Sequence, residues 1–280
     1  MASRPIADLR WSCESAGVSK SLSFIDAVVA MAKHKTQAAQ ARRQPSPATE
    51  KPREVILRVC EFIAEQLASD GFAYLKSRPG LNRTEGDLTF SIHFQSDRNN
   101  SAGRRAAVWI HAGVHSAALA RWRRAHPMSW GGSEGPDAGS VTGGQIGNLT
   151  ADPTWLEWDF ANPSCRAEEI DDAVRTIKRV ALPFFALFDD PSHAVEHLVH
   201  YRALRETSLL EYALVTVGRD AAEAAGQEYL RRNPVIRTRF DAAIKEFAAQ
   251  GLPRFSGDTG RDLAALALHA DLEIAPRSER

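Results

Sequence analysis

Two alternating segments in the middle of the chain constrain its fold more than any other feature. Leu88-Thr89-Phe90-Ser91-Ile92-His93-Phe94-Gln95 sends apolar and polar side chains to opposite sides by turns. After a polar loop over Ser96–Arg104, the run Ala106-Ala107-Val108-Trp109-Ile110-His111-Ala112-Gly113-Val114 alternates again. A period of two is that of a strand with one buried face. The pair is therefore expected to be antiparallel, with Ser91, His93, Gln95, Trp109 and His111 on its polar side. A face that is polar and aromatic together suits recognition of a partner; the alternative is that helices cover it. If Gln95 lies opposite Arg105, His93 faces Ala107, Trp109 faces Ser91, and the histidines scatter along the sheet.

Helical periodicity surrounds this pair. Val55, Val59, Phe62, Ile63 and Leu67 recur at helical spacing over 54–69, and Asp70-Gly71 is a stop signal. Phe72–Leu75 reads as a short strand and Arg78-Pro79-Gly80 as a turn. Ser116–Arg124 turns helical before Pro127. The glycine-rich stretch 130–147 reads as a long loop leading into a strand near Gln145–Leu149, and Trp155–Phe160 as another strand. Ala167–Asp189 is a long helix with acidic first turns, as the helix dipole favours, and Pro183 should kink it. Beyond Pro191 every apolar stripe has helical spacing.

The expected class is α+β: an antiparallel sheet packed by helices, with a helical C-terminal extension. Residues 1–50 are expected to be an N-terminal arm and linker, 51–190 the α+β domain and 191–280 the extension. The arm carries a helix-like stretch at Ser19–His34 and a polar segment with Pro45 and Pro47.

Acidic and basic residues balance at 35 each in 280 residues, so net charge gives no signal for nucleic acid. The three cysteines are widely spaced, which suits reduced thiols in the cytoplasm. No apolar run approaches the roughly 20 residues of a membrane span, and the first residues lack a secretory pattern. A cytoplasmic location with no membrane association is the expectation.

The middle block resembles a bacterial family of uncharacterised proteins, the domain-of-unknown-function family 4304. The resemblance rests on order: a helix ending Asp70-Gly71-Phe72, the strand Phe90–Ser96, the strand Val108–Val114, and Trp155-Leu156-Glu157-Trp158 before a helix ending Leu182-Pro183-Phe184-Phe185. It covers about Glu54 to Leu198 and implies a bacterial source. It brings no catalytic residues.

Two stretches are candidates for chemistry. His193-Ala194-Val195-Glu196-His197 matches an H-x-x-E-H pattern, in which His193 and His197 share a helix face and hold zinc while the glutamate activates water. A third ligand, such as Glu211 or Glu273, is required. Arg104, Arg105, Arg121, Trp122, Arg123 and Arg124 form the densest basic and aromatic set, suited to phosphate contact with Trp122 stacked on a base. The other reading turns Trp122 inward and leaves the arginines solvated. Nucleophile-elbow, phosphate-loop and dinucleotide fingerprints are absent from the sequence, which lowers the expectation of catalysis, and no cofactor is expected. The leading expectation is a non-catalytic cytoplasmic protein-binding module, or an accessory subunit of a bacterial multi-protein system. It would dock to a protein partner or a second copy. A metal-dependent hydrolase and a nucleic-acid-associated accessory protein are the alternatives.

Overall fold

The structure is a computed structural model that describes residues 50–76, 78–127, 138–150, 152–199, 206–252 and 257–274. The arm expected over 1–50 lies, save Glu50, outside them. Helix α1 (Pro52–Leu67) has a proline at its start, where the missing N–H leaves no bond unmade, and buries Val55, Ile56, Val59, Cys60, Ile63, Ala64 and Leu67. A 3₁₀ turn over Ala68–Asp70 follows, and Gly71, at φ 83°, reverses the chain into strand β1 (Ala73–Tyr74). Then come β2 (Gly80–Glu85), β3 (Leu88–Ser96), β4 (Ala107–Ser116), β5 (Ser140–Gln145) and β6 (Trp158–Asp159). The sheet runs β1-β2-β3-β4-β5, and β6 also pairs with β4. Every pairing among the described residues is antiparallel, and the protein is α+β.

The register of the central pair differs from the one expected. His93 lies opposite His111, Gln95 opposite Trp109 and Ser91 opposite Gly113. The cause is the connection over residues 97–106, which folds on itself instead of lengthening the ladder. Buried Asp97 accepts from the Asn99 amide at 2.9 Å and from Arg105 Nη2 at 2.7 Å. Asn100 closes both backbone groups of Ala107, accepting from its N–H at 2.7 Å and donating to its carbonyl at 2.8 Å. The histidines are thereby gathered, not scattered.

Three further strands differ from expectation, and the one expected over Trp155–Phe160 is a strand only at Trp158–Asp159. Gly80 was expected to end a turn and Leu81-Asn82-Arg83-Thr84-Glu85 to follow it, yet all six residues pair with β3. Leu81 is its one large apolar residue, so it has no alternation to read. The strand expected near Gln145–Leu149 instead ends at Gln145, and Ile146–Leu149 is a 3₁₀ turn.

One sheet face carries Phe90, Ile92, Phe94, Val108, Ile110, Ala112 and Val114 into the core. The Phe90 ring lies 5.0 Å from that of Phe185 at a tilt of 41°, and the Arg83 guanidinium sits 4.9 Å from the Phe90 ring. Phe185 belongs to the long helix expected over 167–189, which has four parts, the last a 3₁₀ turn over Leu187–Asp189. Helix α3 (Arg166–Thr176) widens into a π turn over Ile177–Ala181, where the Leu182 N–H reaches back to the Ile177 carbonyl, and continues as α4 (Leu182–Ala186). The wider turn comes just before Pro183, which has no N–H to offer.

The remaining helices among the described residues are α5 (Pro191–Leu198), α6 (Glu206–Thr216), α7 (Arg219–Arg232), α8 (Pro234–Gln250) and α9 (Thr259–His269). They share the same apolar core, and Phe188 meets Tyr212 of α6 at 5.8 Å. A buried ion pair joins α6 to helix α2 (Ala117–Ala125), which Ser116 caps by accepting from the Leu119 amide. Arg123 of α2, 5 % exposed, donates to Glu211, to Ser208 Oγ at 2.9 Å and to the carbonyls of Ala138 and Ser140 at 2.8 and 3.2 Å. Burial pushes the Glu211 carboxyl upward, against the pull of the Arg123 charge.

Replacing one member of such a pair strands the other charge in the interior. Arg123→Ala should cost about 3–5 kcal/mol in urea unfolding. The double replacement Arg123→Met with Glu211→Leu should recover most of that loss. A single variant as stable as the parent would contradict this reading of the pair.

Candidate functional site on the open sheet face

The other face of the sheet opens to solvent. On it Ser91, His93, Trp109, Gly113 and His115 are half-buried and Gln95 is exposed. A concavity of about 410 Å³ occupies its middle, lined by Ser91, His93, Gln95, His111, His115 and the strand residues 140–144. Such a volume is within the range of small-ligand pockets. Of the five residues expected on this face, the cavity gathers Ser91, His93, Gln95 and His111, and Trp109 stands at its edge.

Its floor is bare backbone where glycines meet. Gly143 lies opposite Gly113. A Cβ on Gly143 would sit 2.6 Å from the Ala112 carbonyl oxygen, and one on Gly113 would sit 2.9 Å from Ser91 Oγ. Ser91 Oγ instead donates to the Gly113 carbonyl at 3.3 Å.

A wall rises where the chain folds back after the 3₁₀ turn. Gln145 donates from Nε2 to the Leu156 carbonyl at 2.6 Å and accepts from the Gly147 amide at 2.8 Å. The Thr154 amide donates to the Gly147 carbonyl at 3.1 Å. These bonds set Trp155, 54 % exposed, edge-on to Trp109 at 5.3 Å and to His111 at 6.3 Å. Glu157 receives the Trp109 indole N–H at 3.1 Å and the Arg105 guanidinium at 2.8 Å.

The two paired histidines are 6.5 Å apart between ring centroids. His93 Nδ1 lies 3.1 Å from the Pro79 carbonyl oxygen, so that nitrogen carries the proton and Nε2 has the lone pair in the neutral ring. His111 Nε2 is closed off from water and has no hydrogen-bond partner. Both imidazoles titrate below their ordinary value of 6.5. Burial is the main cause in each. The Arg78 charge adds to it at His93, the Pro79 carbonyl opposes it there, and the His93 charge adds to it at His111. Among the described lining residues none is acidic, and none is lysine or arginine. At neutral pH the His93 and His111 rings of the cavity are therefore uncharged.

The basic set does not come together. Arg104 and Arg105 precede β4 and Arg121–Arg124 follow it, so a ten-residue strand, about 30 Å long, separates them. Arg105 is committed to Asp97 and Glu157, and Arg121 to Asp87 at 3.1 Å. Arg123 was expected to face solvent or phosphate and is buried against Glu211, because the turn into β5 supplies carbonyls that need its donors. Trp122 stacks on His126 at 4.8 Å, and Arg104 and Arg124 are exposed.

His193 and His197 share a face of α5 with ring centroids 6.1 Å apart. Glu211, weighed as their third ligand, belongs to Arg123. Among the described residues no group of three His, Cys, Asp or Glu is placed to hold a metal ion, and no helix is long and apolar enough to cross a membrane.

His115 and Ser140 line the cavity and Trp155 forms its wall without having been singled out as site residues. For Ser140 the signal was Ser140-Val141-Thr142, the start of an alternation that Gly143-Gly144 then hides. No protein-family model, curated protein or solved structure matches the chain.

Two measurements check this geometry. Because the unfolded chain binds protons that His93 and His111 resist, their contribution to stability is complete above pH 6.5 and is lost as pH falls through that value towards the folded midpoints. Histidine NMR titration should place both midpoints below 6.5, and midpoints at or above it would contradict the burial argument. At Gly147 an added Cβ would meet the Thr154 carbonyl oxygen at 1.9 Å. Gly147→Ala should therefore cost about 1–3 kcal/mol and shift tryptophan emission as Trp155 leaves Trp109. Unchanged emission and stability would show that the wall is not held there.

Proposed function

We propose that the chain is a non-catalytic binding module whose open sheet face recognises a protein partner or a second copy of the chain. The observation that carries the reading is the cavity itself. Aromatic edges from Trp109 and Trp155 flank polar groups from Ser91, His93, Gln95 and His111 on one concave surface. Amphipathic side chains held in fixed orientations favour recognition, since little rotamer freedom is lost on contact. A further support is electrostatic. Glu157 binds both Arg105 and Trp109, so the aromatic edge is braced before any partner arrives.

The test places a photo-crosslinking amino acid at Gln95, on the rim, and separately at Phe62, exposed on the outer side of α1. In cells of the native host, Gln95 should give one discrete adduct that Trp109→Ala abolishes, and Phe62 should not give it. No adduct, or the same adduct from both positions, would count against the reading. Reproducible substrate turnover by the pure protein would remove the word non-catalytic.

A further inference from the structure

The cavity holds more imidazole than a neutral contact surface needs. His93 and His111 face each other across β3 and β4, and His115 lies further along β4 on the same side. Strand β5, Ser140-Val141-Thr142-Gly143-Gly144-Gln145, brings no charged group to them. From the turn before β2, the Arg78 charge reaches His93. From the segment beyond β5 comes Glu157, whose oxygens are occupied by Arg105 and the Trp109 indole. A cation here thus meets no free carboxylate, whereas an anion meets imidazoles able to accept protons, with the Arg78 charge felt at His93. Ser91 and Ser140 add hydroxyls to the lining.

We propose that this cavity binds a small oxyanion, carboxylate or phosphate, together with a proton taken up by the paired imidazoles of His93 and His111. The proposal rests on the open face being the recognition surface and names the chemistry recognised there. The imidazoles, uncharged when the cavity is empty, become charged donors when the anion enters, and the charge-assisted bonds hold it. The sign follows from linkage. The anion favours the protonated rings, so their midpoints rise on binding. Affinity is then greatest below the midpoints of the empty cavity and falls as pH rises through those of the filled one.

Histidine resonances of the full chain are followed from acid to neutral pH, alone, with sodium acetate and with inorganic phosphate. Both His93 and His111 should move up by about one unit with at least one probe, and affinity should be about tenfold greater at the acid end. A rise with acetate alone assigns a carboxylate, with phosphate alone a phosphate, and with both the shared oxyanion chemistry. His93→Gln and, as a second variant, His111→Gln should each flatten the pH dependence, and His193→Gln on α5 should leave it intact. Midpoints unmoved by either probe overturn the proposal. The Gln95 adduct reads the face whatever the charge of its occupant. An adduct with unmoved midpoints therefore overturns the oxyanion alone, and moved midpoints without an adduct overturn the partner-binding reading alone.

Discussion

The Asp97 carboxylate, buried at the end of β3, accepts from the Asn99 amide on one oxygen and from the Arg105 guanidinium on the other. These contacts hold its carboxyl below the ordinary carboxylate range. Arg105 passes the constraint on to Glu157, and Glu157 to the Trp109 indole. Asn100 meanwhile fixes the first residue of β4 through both of its backbone groups. One polar loop thereby sets how far β4 slides along β3. In a sheet with one buried face, sliding by an even number of residues keeps the core side inward and changes every partner on the open side. The loop therefore leaves the core largely indifferent and decides the site.

The consequences are local and additive. With His93 opposite His111, two rings share one depression. With Gly113 opposite Gly143, β4 and β5 close on each other without side chains between them. Gln145, opposite His111, is drawn under the returning chain and positions Trp155 through Leu156 and Gly147. On the far side of the sheet Phe90, Phe185, Phe188 and Tyr212 link strands and C-terminal helices into one apolar body. Arg123 and Glu211 join the same layers through charge.

Much of this was legible in the residues. The alternation of β3 and β4, the glycine stop after α1 and the helical stripes beyond Pro191 are local patterns, and local patterns survive in sequence. The α+β class follows from their order. Four of the five residues expected on the recognition face line the cavity because alternation alone assigns a face. What alternation cannot assign is register, since any even slide satisfies it. β2 escaped because a strand with Leu81 as its one large apolar side chain is carried by its neighbour's backbone. β5 escaped because Gly143 and Gly144, required by close approach, have the composition of a loop. Arg123 looked solvated because its partners lie on α6 and before β5, distant in the chain.

The central claim is the register that brings the two imidazoles together, and cross-strand NOEs measure it most directly. Contacts should link His93 with His111, Gln95 with Trp109 and Ser91 with Gly113. NOEs that instead place His93 beside Ala107 and Ser91 beside Trp109 would contradict it, and with it the cavity on which the function rests.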